Sequence, residues 1–301
     1  MAARSHRHHE IPKWQSRHFC PEDSENLWVG FKDTRDVKLV SINRAFFRND
    51  ANTRIDYQGQ ERVKSDRDER ILADFDDRAS RAARDLIDLA RRWRGGRVDD
   101  FLLAPETAET CKQIIVAQAR RTRESQDRVG IGDDGPEFYL ELYRKRAAEF
   151  GQQLPADQGF LEDSRVATLF DDLSQNQRAT FASGHHSILT DKEKSLLAPL
   201  GLHVATIDPA NGEFVIGSHG ITIVQTAGGQ NTWLPLAPDV AISFSGRPGE
   251  IGIGICKDDF VESHNRAALS ISARVAGRSE KTIRDLLATL GRPVISLATQ
   301  A

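Results

Sequence analysis

Apolar residues recur along this chain in two rhythms, and each rhythm predicts a different kind of element. Near the N-terminus, Leu27-Trp28-Val29-Gly30-Phe31 and Val37-Lys38-Leu39-Val40 flank a polar link of residues 32–36. Short β-prone runs around such a link predict a hairpin. Residues 48–64 are polar and carry no period. From Asp66 to Arg94 the rhythm changes: Leu72, Phe75, Ala79, Ala82, Leu86, Ala90 and Trp93 fall at three- and four-residue steps. One apolar stripe of that period predicts a long amphipathic helix, stopped by Gly95-Gly96. Pro105 suits the first turn of a second helix, with Cys111, Ile114, Ile115 and Gln118 facing inward. Further helices are expected over 136–150 and 163–182.

Beyond Gly201 the strand rhythm returns. Residues 202–207, 221–225, 240–244 and 251–255 read as strands. Asp208-Pro209-Ala210-Asn211-Gly212 reads as a turn after which Phe214-Val215-Ile216 pairs back. Closing helices are expected over 258–274 and 279–290, the latter with Ser279 as N-cap. The pattern predicts an α+β fold, with one mixed or antiparallel sheet built from N- and C-terminal strands around a mainly helical insert of about 66–182. Residues 1–8 read as a flexible tail and 9–301 as a single domain, with two independent domains as the alternative.

Composition narrows the function classes. The chain has 301 residues, 39% hydrophobic and 28% charged, with a formal net charge of −3. That is apolar enough to rule out wholesale disorder, and the charge argues against coating nucleic acid by bulk electrostatics. The three cysteines, Cys20, Cys111 and Cys256, are widely spaced and form no CxxC pair, so a reducing, cytoplasmic setting is expected. No apolar run approaches the ~18 residues of a membrane span, and the His-rich start has no apolar signal core. Phosphate-binding P-loops, dinucleotide glycine fingerprints and HExxH metal helices are all missing from the sequence.

Candidate chemistry begins with the histidines His6, His8, His9 and His18. Pro12 fixes φ and biases Ile11 to an extended backbone. His9 is therefore expected to enter the fold at a defined place, with His6 and His8 left in the tail. Imidazole titrates near neutrality and serves as acid, base or ligand, but the alternative is a packed or capping His9. Gly217-Ser218-His219-Gly220 reads either as a polar pocket rim or as a plain β-turn. Arg81, Arg84, Arg91, Arg92 and Arg94 interleave with Asp74, Asp76, Asp77, Asp85 and Asp88, as on a solvated salt-bridged helix. Arg120, Arg121 and Arg123 lie on the next helix, where guanidinium forks suit phosphate. Ser183-Gly184-His185-His186-Ser187 reads as a loop.

These residues carry a resemblance. The opening His8-His9-Glu10-Ile11-Pro12-Lys13, Trp14, Phe19 and Leu27-Trp28-Val29 resembles that of the largely bacterial domain-of-unknown-function family 4238. Ala119-Arg120-Arg121-Thr122-Arg123, Phe214 to Ile221, Leu234 to Ala241 and Asn265 resemble later stretches of the same family in the same order. Ser218 stands where the family usually has aspartate, Gly220 where it has proline, and Glu10 where it has an aromatic. A hydroxyl is a poor divalent-cation ligand, so the resemblance leaves room for a divergent or binding-only member. It singles out Arg121 and implies architecture more than activity.

The expected function is a hydrolase of phosphodiester or nucleotide substrates, nuclease-like. His9 would be the catalytic acid or base, and Arg121, Ser218, His219 and Asn265 would bind substrate. No metal ligand set is expected, and the sequence names no cofactor. Expected partners are an anionic or nucleic-acid ligand and a partner protein, with no membrane. The alternative is a non-catalytic interaction or ligand-sensing module, as in bacterial defence or toxin–antitoxin systems.

Overall fold

A computed structural model describes residues 7–49, 51–58, 61–98, 100–122, 125–126, 164–184, 187–226 and 229–291. The helix expected over 136–150 lies outside the described residues, as do His6, Arg123, His185 and His186.

The fold class is α+β. Strand β1 (Arg7–His9) leads into helix α1 (Lys13–His18), then β2 (Asn26–Phe31) and β3 (Val37–Ser41). The last two pair antiparallel from Asn26↔Ser41 to Gly30↔Val37, which is the expected hairpin. A short α2 (Ile42–Ala45) and β4 (Phe47–Asn49) follow, and β4 returns along β1 with His8 opposite Arg48. Strands β5 (Arg54–Gln58) and β6 (Glu61–Ser65) form a hairpin inside the stretch that showed no period. The long helix α3 (Arg67–Arg94) and α4 (Pro105–Arg121) match the two helical stripes, and α5 (Ser164–Ala182) and α6 (Asp191–Leu197) follow.

The C-terminal part holds β7 (Gly201–Thr206), β8 (Ile216–Gly217), β9 (Thr222–Thr226), β10 (Gly229–Ala237), β11 (Val240–Ser245) and β12 (Ile251–Ile255). After these come α7 (Asp258–Ile271), β13 (Arg274–Gly277) and α8 (Glu280–Leu287), with the Ser279 hydroxyl capping α8 as expected. A five-stranded sheet runs β12-β7-β11-β10-β9, and a four-stranded sheet runs β3-β2-β13-β8. The second joins N- and C-terminal strands as expected, but the first is built entirely from residues after 200, so the strands form separate sheets rather than the one sheet expected.

Three local expectations are corrected. Phe214-Val215-Ile216 does not pair back on β7: the Phe214 N–H donates to the Pro238 carbonyl at 2.7 Å, and Ile216 pairs with Ala276 of β13. Gly212, at φ 116°, turns the chain away from β7. The helix expected to reach 274 stops at Ile271, because Arg274–Gly277 is drawn into the slot between β2 and β8. His8 is not in a tail: it sits in β1 and is 1% exposed.

The main core forms where the α3 stripe meets α4 and the five-stranded sheet, with Leu72, Phe75, Leu86, Ile115, Leu234 and Ile242 in one cluster. Each such side chain contributes roughly 1.5–3 kcal/mol on burial. Asp239, at the β10–β11 turn, locks α3 to that sheet. It accepts from Arg91 at 2.9 and 2.7 Å and from Arg94 at 3.0 Å. A second cluster, Ile11, Phe19, Leu27, Val29 and Phe46, ties α1 to the N-terminal hairpin. Trp14 of α1 packs against the cluster that holds the α3 stripe, which sets the two helices side by side.

Candidate functional site

Pro12 takes φ −54° and ψ 142° and starts α1, whose Gln15 amide donates to the Pro235 carbonyl of β10 at 2.7 Å. With Gln15 and Ser16 buried on that side, α1 turns Lys13, Trp14 and Arg17 toward α3. On α3, Glu69, Leu72, Ala73, Asp76, Asp77 and Ser80 follow one another at helical spacing and form the opposite wall. His9 from β1, Asn52, and Arg121 from the end of α4 complete a cavity of about 370 Å³. That volume lies within the range of small-molecule sites, roughly 300–1,000 Å³.

The deepest layer is a chain of hydrogen bonds. His8 Nδ1 lies 2.7 Å from Glu69 Oε2, and His8 Nε2 lies 2.9 Å from Thr53 Oγ1. Asn52 Nδ2 donates to the same Glu69 oxygen at 3.0 Å, and Asn52 Oδ1 accepts from Gln126 at 3.3 Å. Gln126 in turn accepts from Arg48. An ionised carboxylate only accepts, so the Nδ1 proton of His8 points to Glu69. Burial pushes the Glu69 carboxyl upward, but the His8 and Asn52 bonds and the charge of Arg121 outweigh it and hold its pKa below the ordinary value.

Arg121 is 4% exposed, and its Nη1 donates to Asp76 Oδ1 at 2.7 Å and its Nη2 to the Leu72 carbonyl at 3.2 Å. Asp76 responds in the opposite sense to Glu69. Burial pushes its pKa up, against the pull of the Arg121 guanidinium. The cavity thus holds two carboxyl groups shifted in opposite directions, Glu69 downward and Asp76 upward. Divergent pKa values in one site are the usual basis for separate acid and base roles.

Of the residues expected to form a site, His9 and Arg121 line this cavity together. Ser218, His219 and Asn265 are not among its lining residues. The Ser218 hydroxyl accepts from the N–H of Ala273 at 3.1 Å and of Arg274 at 3.4 Å, at the start of β13. The His219 N–H donates to the Ser272 hydroxyl at 3.1 Å. The Gly217–Gly220 segment is a turn, closed by the Gly220 N–H on the Gly217 carbonyl. Asn265 accepts from the Val215 N–H at 3.0 Å and donates to the Glu213 carbonyl at 2.8 Å, pinning the 213–215 segment to α7.

Glu69 and Asn52 escaped the sequence reading, and Asp76, expected on a solvated salt-bridged face, instead pairs with the buried Arg121 at the cavity wall. A signal existed for the two acids: Glu69 and Asp76 flank Leu72 at i−3 and i+4, beside the apolar stripe rather than opposite it. Cysteine chemistry finds no support, since burial pushes Cys20 up to about 11 and Cys111 and Cys256 up to about 12. Among the described residues, no three of His, Cys, Asp and Glu gather as a metal ligand set. No helix among them is long and apolar enough to cross a membrane.

No curated protein and no solved structure matches the chain. One family model does match, described as "Protein of unknown function (DUF4238)", over residues 7–195. That span contains every residue lining the cavity, while Ser218, His219 and Asn265 lie beyond it. With more than half its length matched, from the strand that carries His8 and His9 into helix α6, this chain belongs to the DUF4238 family.

Proposed function

We propose that the cavity between α1 and α3 is the active site of a hydrolase acting on a phosphodiester or nucleotide substrate. The observation that supports this reading is the meeting of His9 and Arg121, far apart in sequence, in one polar cavity with Asp76. Hydrolysis of such an ester needs a proton-transfer group near the leaving oxygen and cations around the phosphoryl oxygens. His9 and Asp76 supply the first. Lys13, Arg17 and the Arg121 guanidinium supply the second, with Arg121 held rigid by Asp76 and the Leu72 carbonyl. Ser218, His219 and Asn265 do not line this cavity and are left out of the proposed site.

The test is hydrolysis of labelled RNA, DNA and nucleotides by the full chain, with and without Mg²⁺ or Mn²⁺. Wild type is expected to turn over at least one of them, with His9→Ala and Asp76→Asn each reducing kcat by about 10²-fold or more. Equal turnover by wild type and both variants would remove the assignment.

A second reading is a non-catalytic ligand sensor. It is favoured by the pairing of Arg121 with Asp76, which leaves the guanidinium already engaged before any ligand arrives. Binding without turnover in the same assay would select it.

A further inference from the structure

The hydrogen-bond relay behind the cavity has the atom order of a nucleophilic triad: hydroxyl to imidazole Nε2, imidazole Nδ1 to carboxylate. Its orientation is reversed. Thr53, the hydroxyl, is fully buried, and Glu69, the carboxylate, opens to the cavity with its side chain 36% exposed. The relay therefore exposes no nucleophile, and its accessible end is an acceptor.

Among the described residues, Glu69 is also a one-sided acceptor. Both of its donors, His8 and Asn52, sit on Oε2, and no hydrogen bond from a described residue reaches Oε1. A carboxylate clamped by one oxygen presents the other at a fixed angle. Its lowered pKa makes it a weak base, so proton transfer falls to Asp76 and His9, while Glu69 stays anionic through the neutral range. The two walls differ in charge. On α1, Lys13 and Arg17 carry positive charge, and among the described residues Arg17 is held by an exposed contact with Glu25 at 3.4 Å. On α3, Glu69 and Asp77 carry negative charge, while Asp76 is already matched by Arg121.

We infer that Glu69 is a specificity-determining acceptor, and that the cavity takes a small phosphate-bearing ligand whose other end presents an ammonium or N–H donor to Glu69. This rests on the proposed cavity as the functional site and narrows what it admits. A nucleoside monophosphate has this chemistry through its base, and an amino-alcohol phosphate has it through its ammonium group.

Calorimetric titration of the full chain separates the sources. The probes are inorganic phosphate, phosphoethanolamine and the four ribonucleoside monophosphates. A charge-assisted hydrogen bond contributes roughly 1.5–3 kcal/mol, or about tenfold and more in affinity. Wild type is expected to bind an N–H-bearing phosphate at least about tenfold tighter than inorganic phosphate, and Glu69→Gln to erase most of that preference. Lys13→Ala, at an exposed position, is expected to weaken all the probes alike. It also keeps the charge split testable if Glu69→Gln does not fold.

Glu69-dependent binding of phosphoethanolamine without nucleotide binding supports the inference and overturns the nucleotide reading. Nucleotide turnover with an unchanged preference in Glu69→Gln keeps the hydrolase and overturns the inference. Equal affinity for phosphate and all N–H probes, or binding of none of them, overturns the inference. So does a Lys13→Ala chain that binds every probe as wild type does.

Discussion

His8 and Glu69 form a hydrogen-bonded pair of 2.7 Å across 61 residues of sequence, joining β1 to the first turn of α3. The ring's other nitrogen is held by Thr53, so both imidazole nitrogens are engaged inside the protein. The neighbouring His9 is half-buried and turned to the cavity. Two adjacent histidines thus have opposite tasks, as the alternation of a strand requires.

His8→Ala leaves Thr53 and Glu69 without that partner, so it is expected to lower stability by about 2–3 kcal/mol. His9→Ala removes a half-buried ring at the cavity wall and is expected to cost less than His8→Ala. Urea midpoints of the two variants, measured side by side, decide the point. A larger loss for His9→Ala would reverse the roles.

The Arg121–Asp76 pair is expected to be coupled. Removing either partner alone leaves a charge at the cavity wall unmatched, at a cost of about 2–3 kcal/mol given that Asp76 keeps partial exposure. The double replacement Arg121→Met with Asp76→Leu is expected to cost less than the sum of the single changes. A double-mutant cycle with zero coupling energy would show that the pair is incidental.

His264 carries a pH signature. It is completely buried against Phe214, and that burial lowers its pKa to about 4 from the usual 6.5. In the unfolded chain it takes a proton below about pH 6.5, while in the folded chain it resists until about pH 4. Stability from this group is therefore complete above pH 6.5 and drains away as the pH falls toward 4. The loss is of the order of 3 kcal/mol. His264→Leu is expected to flatten the pH 4–6.5 part of the stability curve relative to wild type. His18, also lowered to about 4, contributes in the same direction, so the informative quantity is the difference between the two curves. Parallel curves would rule out the assignment to His264.

Gly220 closes the 217–220 turn at φ +77°, and a Cβ there would lie 2.5 Å from the Gln118 amide nitrogen. That amide donates to the Glu10 carbonyl at 2.8 Å, so the substitution reaches back to the strand carrying His8 and His9. Gly220→Ala is expected to cost about 1–3 kcal/mol. Gly252→Ala, with open space around it, is expected to stay within about 0.5 kcal/mol. Thermal unfolding of both variants tests the contrast, and a neutral Gly220→Ala would contradict the close approach.

Much of the framework is legible in the chain itself. The α3 stripe, the Pro105 start of α4, the 27–40 hairpin and the Ser279 cap are local patterns. Each depends on residues within a turn or two of one another, so period and cap chemistry reveal them. The β5–β6 hairpin is different. Its strand is held by Asn176 of α5, whose amide accepts from the Ile55 N–H at 2.6 Å and donates to the Ile55 carbonyl at 2.7 Å. A distant side chain satisfies that backbone, so no apolar rhythm is needed. Arg274–Gly277 becomes a strand because β2 and β8 offer it partners on both sides, which overrides the helical run before it.

The sequence alone determined the elements whose stabilising contacts are near neighbours, and it pointed to His9 and Arg121 as candidates. Tertiary structure decided which histidine is buried, that Asp76 and Glu69 face a cavity, and that Ser218 and Asn265 serve the backbone. Those outcomes depend on pairings such as His8 with Glu69 and Arg121 with Asp76. In such pairs the desolvation of one group is offset by a partner brought in by the fold, and no local stretch of sequence contains both.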